Sequence, residues 1–358
     1  MRNETILSYH GGDIYSKREL KYASRIIDFS ANINPLGMPQ EVKTAIIENI
    51  DTYECYPDPL CRELTSAIAT MEQTEVKNIL CGNGAADIIY RLVLGLKPKK
   101  ALLLAPTFSE YEQALKTVGC SVNYFNLSEK TGFALDEIIL DEITEELDIL
   151  FICNPNNPTG VATKRELMLK IANKCKACFV TLVVDECFID FLIDEEEYSI
   201  SSEISRYDNL VIIKAFTKIY AMAGIRLGYL LCSNQETISA TSEASQSWSV
   251  STVASKCGVC ALAQRGYVKK TKELIENNRR YLIENLKLLG FHTYDAKANY
   301  ILFYTSHFQL DKKLEPYGIL IRDCQNYHNL EQGYFRIAVK SDADNHYFID
   351  CIKKVITE

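Results

Sequence analysis

Short apolar runs alternate with amphipathic segments along the first two thirds of the chain. The apolar runs are rich in Leu, Val and Ile, which is typical of strands that are buried on both faces. They lie at 101–105, 121–125, 150–152, 181–185 and 210–214. The amphipathic segments, which predict helices, lie at 41–49, 109–118 and 164–173. This alternation predicts an α/β fold in which helices cover a mostly parallel sheet.

The pattern changes at about residue 254. A long helical repeat of polar and apolar positions runs from 254 to 288, and Gly290 ends it. Two further strands are predicted beyond this helix, at 300–304 and 334–339. The C-terminal part is therefore predicted to be a second domain of the α+β type.

The composition is that of a packed globular protein, with 358 residues of which 47% are hydrophobic and 24% charged. This length suggests about two domains. The formal net charge of −8 and the pI of about 5.4 argue against a surface for nucleic acid. An anionic ligand therefore needs a local cluster of positive charge, and Arg226, Arg322 and Arg336 are the candidates.

The cysteines and the hydropathy of the chain indicate its compartment. Most of the 13 cysteines lie inside apolar runs, as Cys153 and Cys232 do, so we expect buried and reduced thiols. No apolar stretch follows the first residues as it would in a signal peptide. No apolar run reaches the ~18 residues of a membrane span either. These features predict a cytoplasmic protein.

The most informative motif surrounds Lys218. Thr217 precedes this lysine, and Arg226 follows it within the same short segment. A lysine can form a Schiff base with an aldehyde cofactor, while a hydroxyl and an arginine can hold that cofactor's phosphate. The motif therefore points to pyridoxal 5'-phosphate (PLP). The alternative interpretation is a basic loop with a buried turn at 224–228.

Two further motifs supply groups that the ring of PLP needs. Asp185 ends an apolar run, where its carboxylate could keep the pyridine nitrogen protonated. Asn157 lies in a loop that follows the run 150–152, and its amide could donate to the phenolic oxygen. The alternatives are a helix N-cap for Asp185 and a tight turn for the loop that contains Asn157.

Two more segments fit the phosphate and the flat face of the ring. Gly84, Ala85 and Ala86 precede an apolar helical stretch, and small residues at a helix N-terminus make an anion site. The segment 105–111 brings an aromatic side chain, Tyr111, that could stack on the ring. Beyond the Lys218 motif, four separated segments thus meet four different needs of one cofactor.

In these motifs the chain resembles the fold-type I PLP enzymes of the aspartate-aminotransferase superfamily. The most similar branches are the histidinol-phosphate aminotransferases and the threonine-phosphate decarboxylases, and several motifs are similar to the decarboxylase branch. These motifs include His-Gly-Gly at 10–12, Asp-Phe-Ser-x-Asn-x-Asn-Pro-Leu-Gly at 28–37 and Asp-Glu-x-Phe-Ile-Asp-Phe at 185–191, with others at 248–250, 298–300, 320–324, 326–327 and 334–339. Phe188 stands where the aminotransferase branch usually has tyrosine.

The resemblance implies a large domain with a seven-stranded, mostly parallel sheet and a small α+β domain. The expected division is an arm at 1–40 that joins the small domain and covers the site, a PLP-binding domain at 41–250 and a small domain at 251–358. It also implies a homodimer with shared active sites, in which Tyr56 reaches the neighbour's cofactor phosphate.

The reaction that the resemblance implies is decarboxylation of L-threonine O-3-phosphate, or of serine O-phosphate, to a phosphorylated amine. For threonine phosphate the product is (R)-1-aminopropan-2-yl phosphate, which is used in cobamide biosynthesis. Lys218 and Asp185 would be catalytic, Arg336 would hold the substrate carboxylate, and His10, Asn32 and Arg322 would surround the substrate phosphate. The alternatives are a histidinol-phosphate-type aminotransferase and a catalytically silent PLP-fold protein.

Two positions depart from the usual pattern of these enzymes. Asp13 stands where asparagine usually follows His-Gly-Gly, and Ala215 replaces a serine that binds the cofactor phosphate in many members. The second change removes one expected phosphate contact and leaves those from Thr217, Arg226 and the Gly84 backbone.

Overall fold

The computed structural model describes residues 11–15 and 25–357. In chain order its strands are β1 (Ile27–Asp28), β2 (Ile79–Gly82), β3 (Lys100–Ala105), β4 (Ser121–Asn126), β5 (Ile149–Cys153), β6 (Thr181–Asp185), β7 (Leu210–Ala215), β8 (Gly228–Leu231), β9 (His292–Thr293), β10 (Tyr300–Tyr304), β11 (Ile319–Leu320), β12 (Arg322–Asp323) and β13 (Tyr334–Ala338). Its α-helices are α1 (Gln40–Glu48), α2 (Arg62–Glu72), α3 (Ala85–Leu96), α4 (Glu110–Thr117), α5 (Ile139–Glu142), α6 (Arg165–Ala177), α7 (Phe216–Ile219), α8 (Gln235–Glu243), α9 (Thr252–Leu262), α10 (Arg265–Leu288), α11 (Leu310–Leu314) and α12 (Asp342–Thr357). Among the described residues, no helix has the length and apolarity to cross a membrane.

A seven-stranded sheet with the order β2-β8-β7-β6-β5-β3-β4 forms the centre of the larger part of the molecule. The strands β3 to β7 run parallel, whereas β8 is antiparallel to its neighbours β2 and β7. Strands β5, β6 and β7 are buried along almost their whole length, which explains why their sequences are continuous apolar runs. The predicted α/β fold with a mostly parallel sheet is confirmed.

A second, antiparallel sheet with the order β12-β13-β10-β9 follows the long helix α10. In addition, β1 pairs in parallel with β11, so the residues just before α1 join this C-terminal part. The confirmed architecture is thus a large mostly parallel sheet and a small C-terminal sheet. The boundaries at 40 and 250 stay predictions.

The single helix predicted over 254–288 is two helices, α9 and α10, with a break at Ala263 and Gln264. The two helices bury their inner faces against different neighbours, because α9 packs on α1 and α2, whereas α10 packs on α12. The chain therefore has to bend between them. Strands β2 and β8 were not predicted, since both are only four residues long and lie next to glycine-containing motifs.

The carboxyl ends of the parallel strands place several polar groups at one edge of the large sheet. Asp185 is the last residue of β6, and the segment with Thr217 and Lys218 follows β7 directly. The loop with Asn157 follows β5 in the same way. In open α/β sheets, ligands bind in the crevice at this edge.

Candidate active site

A cavity of about 400 Å³ opens at this edge, and most of the predicted site residues form its wall. Those that line it are Asn32, Ala85, Ala86, Asn157, Asp185, Thr217, Lys218, Arg226 and Arg336. The structure thus brings together, in one cavity, groups that come from segments far apart in the chain.

Lys218 lies in the short helix α7 and has an unusual acid–base environment. Burial and the positive charges of Arg336 and Arg226 lower the pKa of its amine to about 8. The neutral amine is the nucleophilic form, so a lowered pKa populates that form at a pH where an ordinary lysine is charged. Lys218 is therefore suited to bond covalently with an aldehyde.

The part of the cavity that fits a phosphate is formed by the start of α3 together with Thr217 and Arg226. Gly84 precedes the helix with φ of +87°, and it provides no side chain to cap the first backbone N–H groups. A Cβ atom at Gly84 would lie 2.7 Å from Nη2 of Arg226, so any larger residue would displace the guanidinium from its present position. Backbone N–H groups, a hydroxyl and an arginine are the donors that a PLP phosphate requires.

We expect Gly84→Ala to weaken PLP binding about tenfold, which corresponds to about 1.4 kcal/mol. The added methyl group would fill the space beside Arg226, and the positive φ would strain an alanine. Titration of the apo protein with PLP measures the dissociation constant. Gly224→Ala is the matched control, because a Cβ at Gly224 meets nothing within 4 Å and should leave the affinity unchanged. Equal weakening in both variants would contradict a phosphate site at Gly84.

Asp185 occupies the part of the cavity that fits the pyridine ring. Its carboxylate is buried, and it is oriented by two donors, the hydroxyl of Tyr111 at 2.7 Å and the backbone N–H of Cys187 at 3.0 Å. A buried carboxylate with a free lone pair is stabilised by a cation such as a protonated pyridine nitrogen. The geometry suits the role predicted for Asp185.

The stacking position predicted for Tyr111 is corrected by the structure. Tyr111 lies on the buried stripe of α4 with Ala114 and Leu115, and its ring stacks on Phe151 with centroids 5.0 Å apart. Of the aromatic residues in the segment 105–111, the one that lines the cavity is Phe108, just before the helix. The spacing of 111, 114 and 115 marks the core-facing stripe of a helix, so the sequence contained a signal that Tyr111 points inward.

Arg336 on β13 is held in place by two acceptors. Its Nη1 donates to Oδ1 of Asn157, and its Nη2 donates to the backbone carbonyl of Ser30 at 2.8 Å. Because Oδ1 of Asn157 is engaged, the amide N–H₂ group of this residue is left to donate to the phenolic oxygen of PLP. Nε of Arg336 and Oδ1 of Asn32 are buried without a hydrogen-bond partner among the described residues, so both suit a polar ligand.

Ser30 connects this arginine to the N-terminal segment, a role that sequence reasoning missed. The Ser30 hydroxyl donates to Asp28 at 2.6 Å and accepts from the backbone N–H of Gly12 at 2.7 Å. Gly11 lines the cavity, and a Cβ there would lie only 2.2 Å from the Ser30 carbonyl oxygen. Residues 11 and 12 are therefore packed tightly against the cavity wall. His10, predicted to bind substrate, lies outside the described residues.

Two further predicted residues, Arg322 and Tyr56, are not part of the cavity wall. Arg322 is buried in an adjoining pocket, which shares Phe108 and Tyr327 with the main cavity. Its Nη2 donates to Asn326 at 2.7 Å, and its guanidinium lies over the ring of Tyr327 at 5.6 Å. Tyr56 is on the surface, with 80% of its area exposed.

Two other residues of the wall, Cys187 and Phe188, lie two and three positions after Asp185 in the sequence. Burial and the carboxylate of Asp185 raise the pKa of the Cys187 thiol well above its usual value, so the thiol stays neutral. Phe188 packs its edge against Tyr300 with centroids 4.9 Å apart. Their place next to the end of β6 was the signal that could have identified both as wall residues.

A lysine with a lowered pKa, a buried carboxylate and a phosphate cradle at the carboxyl edge of a seven-stranded sheet define a PLP-dependent enzyme of fold type I. Residues 24–352 match the model of the aminotransferase class I and II family, and the chain belongs to this family. PLP is the cofactor of this family, as the sequence motifs predict.

The chain is also similar to individual proteins whose functions are named. The chain is 36% identical to a threonine-phosphate decarboxylase from Salmonella typhimurium, over 98% of this chain and 97% of the relative. It is 29% identical to a bifunctional protein of adenosylcobalamin biosynthesis from Leptospira interrogans, over 98% of this chain and 41% of the relative. A solved structure, the histidinol-phosphate aminotransferase from Clostridium acetobutylicum, is 31% identical with a TM-score of 0.87, and the match covers 92% of this chain and 99% of that chain.

Proposed function

We propose that this enzyme decarboxylates L-threonine O-3-phosphate to (R)-1-aminopropan-2-yl phosphate, for cobamide biosynthesis. The observation that carries the proposal is the near full-length similarity to the Salmonella decarboxylase. The arrangement of arginines supports it in physical terms. Arg226 suits the cofactor phosphate and Arg336 suits the carboxylate of an amino acid. A third arginine, Arg322, is buried next to the cavity and suits a substrate with a second anionic group.

The chain's own groups account for the steps of this reaction. Bound PLP withdraws electrons from the α-carbon of the substrate. Asp185 keeps the ring nitrogen protonated, and Asn157 donates to the phenolic oxygen. The bond between Cα and the carboxylate breaks, carbon dioxide leaves, and the bonding pair stays with Cα. Lys218, whose pKa is lowered to about 8, can then return a proton to Cα without any external oxidant or reductant.

Arg336 has to orient the carboxylate without stabilising it too strongly, because the carboxylate loses its charge in the reaction. Two of its nitrogen atoms already donate to Asn157 and Ser30. The remaining N–H groups, including Nε, which has no hydrogen-bond partner in the described part of the chain, can form a fork for one carboxylate. The protein contacts thus fix the direction of the guanidinium before the substrate binds.

The second candidate function is transamination, which the structural similarity to the Clostridium aminotransferase favours. Both reactions start from the same bound cofactor and differ in which bond at Cα breaks. Measuring carbon dioxide from threonine phosphate, with and without 2-oxoglutarate, distinguishes them. We expect carbon dioxide at the same rate in both assays. Formation of glutamate that depends on 2-oxoglutarate, without carbon dioxide, would establish the aminotransferase instead.

We expect Arg322→Ala to raise the KM for threonine phosphate by about one to two decades, as for the loss of a charged hydrogen bond worth about 1.5–3 kcal/mol. Steady-state kinetics with an unphosphorylated analogue serve as the control, and that KM should change far less. Arg322→Lys should recover part of the affinity, because it restores the charge but not the planar fork. Equal losses for both substrates would place Arg322 on the carboxylate or in the fold.

We also infer a homodimer whose active sites are shared. Tyr56 is far from buried, and the other exposed apolar residues of its neighbourhood in the chain are Ile47, Ile50 and Leu60. A group of exposed apolar side chains is typical of an association surface. Tyr56 of one copy would then contact the cofactor phosphate of the other copy.

We also place the enzyme in the reducing cytoplasm. All thirteen cysteines are free thiols, which fits this location.

A further inference from the structure

We propose that Trp248 is a positioning residue of the shared active site, because it holds Tyr56 in the orientation that reaches the cofactor phosphate of a second copy. The inference rests on the homodimer proposed above. It adds a residue that touches neither substrate nor cofactor and acts through Tyr56.

The two rings are stacked, with centroids 4.5 Å apart and planes inclined by 24°. Both are unusually exposed for aromatic side chains in contact, with 80% of Tyr56 and 46% of Trp248 accessible. The hydroxyl of Tyr56 has no hydrogen bond within the part of the chain that the structure describes. Trp248 therefore supports one face of the ring and leaves the polar end available to a partner.

The backbone on both sides of this contact is fixed. On the Tyr56 side, the carboxylate of Asp58 accepts from the backbone N–H of Leu60 at 3.1 Å and from that of Arg62 at 2.7 Å. On the other side, the hydroxyl of Ser251 accepts from the N–H of Ala254 at 3.1 Å and caps α9. The stacked pair is thus built on two anchored segments, so the ring of Tyr56 has little freedom left to lose on binding.

The backbone of Trp248 also points to a role outside the core. Its φ of +57° lies in the left-handed region, which is uncommon for a bulky side chain. Strained residues of this kind persist where the local structure requires them, and they cluster at functional sites. A ring that is nearly half exposed gains little from burial in the core of the protein. We therefore attribute the conformation of Trp248 to its contact with Tyr56.

The test is a double-mutant cycle read by PLP affinity. Tyr56→Phe removes the hydroxyl, and Trp248→Ala removes the stacking partner. We expect each to raise the dissociation constant for PLP, the second by about three- to tenfold, the range for an aromatic pair. The double variant should bind PLP as tightly as the single variant with the lower affinity, because Trp248 acts only through Tyr56. Trp248→Phe, which can still stack, should recover most of the affinity.

Two features of the chain make the experiment specific. Trp248 is the one tryptophan in the sequence, so its fluorescence should change when PLP is added to the apo protein, with the same dissociation constant. Phe179→Ala is the matched control, because Phe179 is also an exposed aromatic residue, 87% accessible, with a positive φ of 58°. This control should bind PLP like the wild type.

The outcomes distinguish failure of the role of Trp248 from failure of the proposed homodimer with shared active sites. Additive losses in the double variant, or normal PLP affinity in Trp248→Ala when Tyr56→Phe is weakened, would overturn the role of Trp248 alone. A monomer in sedimentation velocity, or normal affinity in Tyr56→Phe, would overturn the shared site and the role of Trp248 together. Fluorescence that does not respond to PLP would likewise count against the inference.

Discussion

Lys218→Ala is expected to abolish turnover and leave the protein folded. Among the described residues that line the cavity, Lys218 is the one with an amine, and its lowered pKa makes it the nucleophile of the site. Alanine removes a group whose charged form is disfavoured by burial, so the fold should lose little stability. Activity, far-UV circular dichroism and the melting temperature of the variant test both parts of this expectation.

The position of the covalent bond can be checked directly in the wild type. Borohydride should fix PLP to Lys218 and block cleavage by trypsin after this residue. Because trypsin still cuts after Lys214 and Arg226, the labelled peptide should contain residues 215–226. Lys214, four residues earlier, is the internal control, since it is buried in an ion pair with Glu72 at 3.0 Å. Label in any peptide other than 215–226 would refute the assignment. Label on Lys214, for example, would appear in residues 207–218.

Asp185→Asn should lower kcat by about two to three decades, the effect of removing one electrostatic contact to the charge that develops in a reaction. Asparagine keeps the size of the side chain and can still accept from the N–H of Cys187, but it cannot pair with a protonated ring nitrogen. Single-turnover measurements at saturating PLP separate this effect from loss of the cofactor.

Tyr111→Phe is the matched control for this variant. It removes the hydrogen bond of 2.7 Å to Asp185 but keeps the negative charge and the stacked ring. Its kcat should therefore fall much less than that of Asp185→Asn. If kcat is unchanged in Asp185→Asn, Asp185 only orders the chain after β6.

The sequence predicted those parts of the fold whose residues are buried on both sides. Strands β5, β6 and β7 are continuous apolar runs because they lie inside the large sheet. Strand β8 is equally buried, but it follows the Arg226 motif directly. Its four residues are too few to show a repeat of hydrophobic positions. The break between α9 and α10 depends on which neighbours the two helices contact, and that is decided by tertiary packing.

Among the residues of the site, too, some could be predicted from the sequence and others could not. The positions of Asp185, Asn157 and Lys218 at the crevice could be predicted because each lies at or just after the carboxyl end of a strand. Ser30 could not, because its role depends on its backbone carbonyl and on the placement of β1 beside β11, far along the chain. Phe108 and Tyr111 lie in one short segment, and only the helical stripe of α4 decides which of them points to the core.

The groups that surround the cavity belong to two separate structural units. The lysine, the carboxylate and the phosphate cradle are carried by strands and loops of the large sheet, while Arg336 lies on β13 of the small sheet and is held through Ser30 beside β1. We therefore expect retention of the coenzyme and choice of substrate to be largely separable in this protein. Substitutions around β12, β13 and residues 30–32 should alter which amino acid is accepted while the holoenzyme remains intact, and these segments are where we would redesign specificity.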